Sequence, residues 1–145
     1  MRKRILLVED HPDTSDLIRR EWSFGGYDVL IAEDGLQAVG FAAHLLPDAI
    51  IMDMMLPKMN GLEATRRIRE NPNTASIPIL AATAMTKPGD REKCLAAGCD
   101  DYLPKPFTHR ELLQALEKLF QTASAPKEKK SEPVQTTVES RSERS

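Results

Sequence analysis

The chain is poor in cysteine, aromatic residues, long apolar runs and net charge, and each shortage excludes a class of protein. Of its 145 residues, two are cysteine, Cys94 and Cys99. They make no metal-ligand spacing and no disulfide framework, so reduced thiols in or just after a helix are expected. Aromatic residues make up 5% of the chain and the formal net charge is −2. There is no basic stripe with interleaved aromatics, hence no electrostatic footprint for nucleic acid. No apolar run approaches the length of a membrane span. The basic opening, Met1 to Arg4, imitates a signal peptide, but Ile5–Val8 is too short for the apolar region and Glu9-Asp10 cuts it off. A soluble cytoplasmic protein without nucleic-acid or membrane partners is the expectation. Glycine is absent where a nucleotide or flavin module would carry its phosphate-binding loop: after the first apolar run stand Glu9, Asp10, His11 and Pro12.

What is present is the material of one core. Hydrophobic residues make up 41% and charged residues 29%, ordinary for a globular domain. Apolar runs alternate with helical patterns along the chain. Ile5–Val8 is a short strand, and His11, Pro12, Asp13 and Thr14 supply helix-start chemistry. The helix that follows carries Leu17, Ile18, Trp22 and Phe24 and stops at Gly25-Gly26. Tyr27–Ala32 is the next strand, and Asp34-Gly35 turns into a helix through Leu36, Val39, Ala43 and Leu46. Asp48–Met52 is a third strand, followed after a loop by a helix over Leu62–Arg69, broken at Asn71-Pro72-Asn73. Ile77–Ala82 is a fourth strand, Pro88–Ala97 a short helix closed by Gly98, and Cys99–Leu103 a fifth strand. The last helix has Leu112, Leu113, Leu116, Leu119 and Phe120 at helical spacing.

The apolar runs are unbroken rather than alternating, which suggests strands covered on both faces. Five strand-helix units with short connections argue for an α/β fold, a doubly wound parallel sheet with helices on both sides. The domain is placed at 1–122. Residues 123–145 are read as a disordered tail, because Lys, Arg, Glu, Ser and Pro with only two valines bury too little apolar surface to offset chain entropy.

Open parallel sheets bind ligands at the carboxyl ends of their strands. Glu9 and Asp10 follow the first strand, Asp53 the third, Thr83 the fourth and Lys105 the fifth. Three carboxylates gathered there would repel one another, and a hard divalent cation relieves that repulsion. Mg2+ suits such a site, since it takes oxygen ligands, keeps several waters and uses few carboxylates. With two carboxylates on the ion, Asp53 is left as a nucleophile toward a phosphoryl group. Lys105 and the Thr83 hydroxyl are placed for its equatorial oxygens.

This series resembles the receiver domain of two-component response regulators: Glu-Asp after the first strand, Asp53 after the third, Thr83 after the fourth, and Lys105-Pro106 after the fifth. The match covers about Lys3 to Gln121, and Leu56-Pro57, Gly61, Ala97-Gly98 and Asp101-Tyr102 agree with it. The resemblance implies a flavodoxin-like (βα)5 sheet in strand order 2-1-3-4-5. It implies that Asp53 accepts phosphate from a phosphohistidine on a sensor histidine kinase or phosphotransfer protein. Asp10 and Asp53 would ligate Mg2+ together with the backbone carbonyl of Met55, with Glu9 acting mainly through water. Thr83 and Tyr102 match the family's switch pair, Thr83 moving toward the phosphoryl group and Tyr102 turning inward.

With no output domain after Gln121, a single-domain signalling protein rather than an enzyme is expected, its message leaving by contact with a target or by relay. Kinase choice would rest on Asp13, Asp16, Arg19 and Arg20 and on the Pro106-Phe107 loop. A phosphate-independent receiver serving as a binding module is the alternative, although no active-site class is missing. An aspartyl phosphatase would want a second acid two residues after Asp53, where Met55 stands. Met55 and Met85 offer no strong donor to an attacking water, so slow self-dephosphorylation is expected.

Overall fold

The structure is a computed structural model that describes residues 2–123. Five strands and five helices alternate: β1 (Lys3–Val8), α1 (Pro12–Phe24), β2 (Tyr27–Ala32), α2 (Gly35–Leu45), β3 (Ala49–Met52), α3 (Gly61–Glu70), β4 (Ile79–Thr83), α4 (Asp90–Ala97), β5 (Asp101–Pro104) and α5 (His109–Ala123). The strands form one sheet in the order β2-β1-β3-β4-β5, every pair parallel. The fold is the flavodoxin-like α/β arrangement expected. The tail assigned to 123–145 lies, from residue 124 onward, outside the described residues.

Unbroken apolar strands are explained by two cores, one on each face of the sheet. Leu6, Val8, Ile50, Met52, Ile79 and Ala81 face α2, α3 and α4, meeting Ala38, Ala42, Ala64, Ile68 and Cys94. Their sequence neighbours Ile5, Leu7, Ala49, Ile51, Leu80 and Ala82 face α1 and α5, meeting Ile18, Trp22, Leu112, Leu116 and Leu119. The period-2 alternation of a strand thus divides one apolar run between two layers. Trp22 is a packing residue, as its place in the sequence suggested.

Element ends differ from the sequence reading where local hydrogen bonds compete with the ladder. Ile77 is outside β4 because its N–H closes a turn on the Thr74 carbonyl, 3.1 Å away. Thr83, expected beyond the strand, is its last residue. Cys99 is not in β5: its N–H bonds the Cys94 carbonyl at 3.1 Å and so completes the end of α4, where Gly98 takes φ 122°. Helix α4 begins at Asp90 rather than Pro88, since Gly89 stands before it in the left-handed region at φ 90° and the Asp90 carboxylate caps the Lys87 N–H.

Candidate functional site

The order of the sheet makes the site. β1 lies between β2 and β3, so the chain leaves β1 toward one side and returns to its other side, and a crevice opens where the strand order reverses. Val8 sits opposite Met52, and the next residues, Glu9 and Asp53, leave the sheet side by side. Their backbones prolong the ladder by one bond each: Glu9 N–H to the Ala32 carbonyl at 3.0 Å and Asp53 N–H to the Val8 carbonyl at 3.2 Å. Both residues are buried, at 7% and 5% exposure.

One ammonium serves both acids. Lys105 follows β5, its N–H donating to the Thr83 carbonyl at 2.9 Å. Its Nζ reaches Asp53 Oδ2 at 3.2 Å and Glu9 Oε1 at 3.4 Å. Burial is the largest single influence on this lysine and works against its charge. Asp53 and Glu9 together outweigh that penalty and raise its pKa. Lys105 is therefore a fixed cation beside the Asp53 carboxylate.

The other side of Glu9 belongs to His11. Its Nδ1 lies 2.8 Å from Glu9 Oε2 and 3.3 Å from Asp10 Oδ1. The hydrogen bond to Glu9, then the charges of Asp10 and Glu9, raise the imidazole pKa. Glu9 is buried whereas Asp10 is exposed, and ligand atoms of Glu9, Asp10 and His11 all lie within 4.8 Å of one another. Carboxylate oxygens at the mouth of a crevice fit a hard divalent cation. In the sequence His11 reads only as part of the start of α1; its adjacency to two acids is the signal that points to the site.

The loop after β3 is held close to the site. Asp53 Oδ1 accepts the Met55 N–H at 3.0 Å, and the Gly61 N–H donates to the Met54 carbonyl at 3.0 Å. A Cβ on Gly61 would stand 2.3 Å from the Asp53 carbonyl oxygen, and one on Gly35 would stand 1.9 Å from that of Met59. Two glycines therefore let the loop and the ends of α2 and α3 close around Asp53.

Thr83 is fully buried, its Oγ1 accepting the Met85 N–H at 3.2 Å. The Tyr102 hydroxyl donates to the Met85 carbonyl, and its burial raises the phenol pKa. Met55, 60% exposed, and Met85 line an open groove of about 560 Å3. Glu9, Asp53 and Lys105 line a separate cavity of about 480 Å3 with His11, Ala84 and Phe107. Glu9, Asp53, Lys105 and His11 are thus brought together, and Asp10 joins them through His11.

The sequence profile described as the response regulator receiver domain matches residues 5–117. The chain belongs to that family. It is 41% identical over 121 residues to "Response regulator MprA" of Mycobacterium sp. (strain KMS), covering 83% of this chain and 52% of the relative. MprA of a Mycobacterium bovis strain is 42% identical over 120 residues, 83% of this chain and 51% of the relative. The chain therefore spans about half the length of these curated relatives. Among solved structures, the receiver domain of sensor histidine kinase PA1611 from Pseudomonas aeruginosa superposes with a TM-score of 0.75 at 44% identity, covering 83% of this chain and 99% of the other. That structure has a magnesium ion coordinated in its active-site cleft. Chemotaxis response regulator CheY4 of Vibrio cholerae gives a TM-score of 0.77 at 29% identity, covering 82% and 99%. Among the described residues, no helix is long and apolar enough to cross a membrane.

Proposed function

We propose that this receiver domain takes a phosphoryl group onto Asp53 from a phosphohistidine on a sensor histidine kinase or phosphotransfer protein, with Mg2+ required. An Asp53 oxygen attacks phosphorus, the P–N bond breaks and the donor imidazole leaves. The observation that carries the reading is the Lys105 ammonium held between Asp53 Oδ2 and Glu9 Oε1 at the ends of adjacent strands. Lys105 holds one of the phosphoryl oxygens and offsets the charge that develops there. Asp10, Asp53 and the Met55 carbonyl would hold the cation, with Glu9 acting through water. The ion would supply charge neutralisation to the transferred group.

The domain signals by changed protein contacts rather than by turning over a substrate, and works in the cytoplasm with neither nucleic acid nor membrane as its own partner. Thr83 and Tyr102 carry the change through the loop before α4, where both bond to Met85. Decay of the phosphorylated form is slow, because the exposed side chain nearest Asp53 along the loop is the thioether of Met55, a weak acceptor that does not orient water.

The test is phosphorylation by a small acyl phosphate with Mg2+, read by intact mass, on wild type and Asp53→Asn. The expected result is one added phosphoryl group on wild type alone. No gain from either the acyl phosphate or a phosphohistidine donor, with Mg2+ binding also absent, would make the chain a phosphate-independent binding module.

A further inference from the structure

We propose that the cavity between α1 and α5 binds a small uncharged apolar molecule carrying one hydroxyl or carbonyl group, and that its occupancy slows phosphoryl transfer to Asp53. The regulatory half rests on Asp53 being the phosphoryl acceptor; the binding site does not. The walls are core side chains: Ile18 of α1, Leu112 of α5 and, on the sheet, Leu7, Ile51 and Ala82, none more than 4% exposed. A packed interior leaves few voids larger than one water. This space is about 480 Å3, room for roughly 16 waters at ~30 Å3 each, and small-molecule sites span about 300–1,000 Å3. Its floor is low at Ala82, which ends at Cβ, whereas Leu80 on the same face of β4 is a large side chain. Phe107, in the loop that carries Lys105, adds an aromatic wall.

The ionic groups along this cavity are already paired. Lys105 Nζ stands 3.2 Å from Asp53 Oδ2 and 3.4 Å from Glu9 Oε1. Glu9 Oε2 is 2.8 Å from His11 Nδ1, and His109 Nδ1 is 2.8 Å from Glu21 Oε1. A charged ligand would therefore find no spare counter-charge and would lose its hydration among apolar walls. Thr14 differs: it lines the same cavity, and its hydroxyl bonds to none of the described residues. A hydroxyl both donates and accepts, so it can orient one hydroxyl or carbonyl group of the ligand. Asp53 and Lys105 line the cavity too, so an apolar occupant takes room from the phosphoryl group that must settle beside them.

The experiment titrates the methyl-labelled full chain with naphthol, naphthoate and naphthylmethylammonium in the presence of Mg2+, on wild type, Ala82→Leu and Thr14→Val. Naphthol is expected to shift the Ile18, Ile51 and Leu112 methyl signals saturably, with a Kd below about 1 mM. The two ions should bind at least about tenfold more weakly. Filling the floor with Ala82→Leu should weaken naphthol by about tenfold. Thr14→Val, which changes one exposed hydroxyl and leaves the core alone, should weaken it by about threefold or more. Phosphorylation by an acyl phosphate should slow about fivefold or more at saturating naphthol. No saturable shift below about 1 mM, or shifts that both variants leave unchanged, would overturn the site. Equal binding of all three probes would overturn the preference for an uncharged ligand. Wall methyls that move on dilution of the chain and not with naphthol would give the cavity to a second copy instead. Naphthol bound with no change in phosphorylation rate would overturn the regulation alone. A wild type that binds naphthol but takes no phosphoryl group from any donor would overturn the reading of Asp53 and leave the binding site standing.

Discussion

Replacing Gly61 by Ala sets two effects of opposite sign against each other. Gly61 opens α3, and alanine in a helix is favoured over glycine by about 1 kcal/mol. However, the new Cβ would lie 2.3 Å from the Asp53 carbonyl oxygen, 2.7 Å from Met54 Cα and 3.0 Å from the Asp53 carbonyl carbon, all backbone atoms that cannot swing aside. Ordinary contact starts at 3.4 Å, so the strand end and the helix must part by roughly an ångström. Overpacking of that kind costs about 1–3 kcal/mol, and parting weakens the Gly61 N–H bond to the Met54 carbonyl, at about 0.5–1.5 kcal/mol. The clash wins, with a net loss of about 1–3 kcal/mol. Because the displaced carbonyl belongs to Asp53, transfer from an acyl phosphate should slow by about tenfold or more. Gly40→Ala in α2 is the control: a Cβ there meets nothing within 4 Å and should stabilise by about 0.5–1 kcal/mol. Urea denaturation and phosphorylation rates of both variants test the argument. A Gly61→Ala protein as stable as wild type and phosphorylated at the same rate would refute it.

Other expectations follow from the same contacts. Lys105→Met leaves two buried carboxylates, Asp53 and Glu9, without their shared cation, so stability without metal should fall by about 2–4 kcal/mol and Mg2+ should restore more of it than it adds to wild type; thermal melts with and without Mg2+ decide. Arg69→Ala removes bonds to the carbonyls of Gly98, Ala75 and Ile77 and to the Asp100 carboxylate, which fasten α3 to β4 and β5. A loss of about 2–4 kcal/mol is expected in denaturant, and one under about 1 kcal/mol would show the cluster to be weakly coupled. Burial pushes the Cys99 thiol from 9.0 up to about 12. A raised pKa stabilises the fold fully below the unfolded value and is lost as pH rises through the folded one. Wild type should therefore lose stability from about pH 9 upward more steeply than Cys99→Ala, by up to about 4 kcal/mol in all; equal slopes would contradict this. Met55→Asn together with Met85→Glu should shorten the phosphoryl lifetime, measured by intact mass over time.

The sequence reached far because the core residues follow one simple rule. A strand such as Ala49–Met52 that is apolar at every position cannot leave either face in water, so helices on both sides were required before any pairing was known. Acids and a lysine at the ends of such runs had to gather at one edge of the sheet, whatever its order. Strand order was not fixed by the alternation of elements. It came from resemblance, because the pairing of β1 with both β2 and β3 depends on contacts between segments far apart in the chain.

Tertiary structure decided the rest. Whether Cys99 begins β5 or ends α4 turned on a single hydrogen bond to Cys94, which the apolar pattern does not encode. The need for glycine at positions 35 and 61 shows only when Met59 and Asp53 are brought against them. His11 looks like helix-start chemistry in sequence, and only the fold aims its ring at Glu9 and Asp10. Composition and periodicity determine which surfaces must be buried. Which atoms then meet is set by the packing of all ten elements at once, and the partners of Asp53 are a product of that packing.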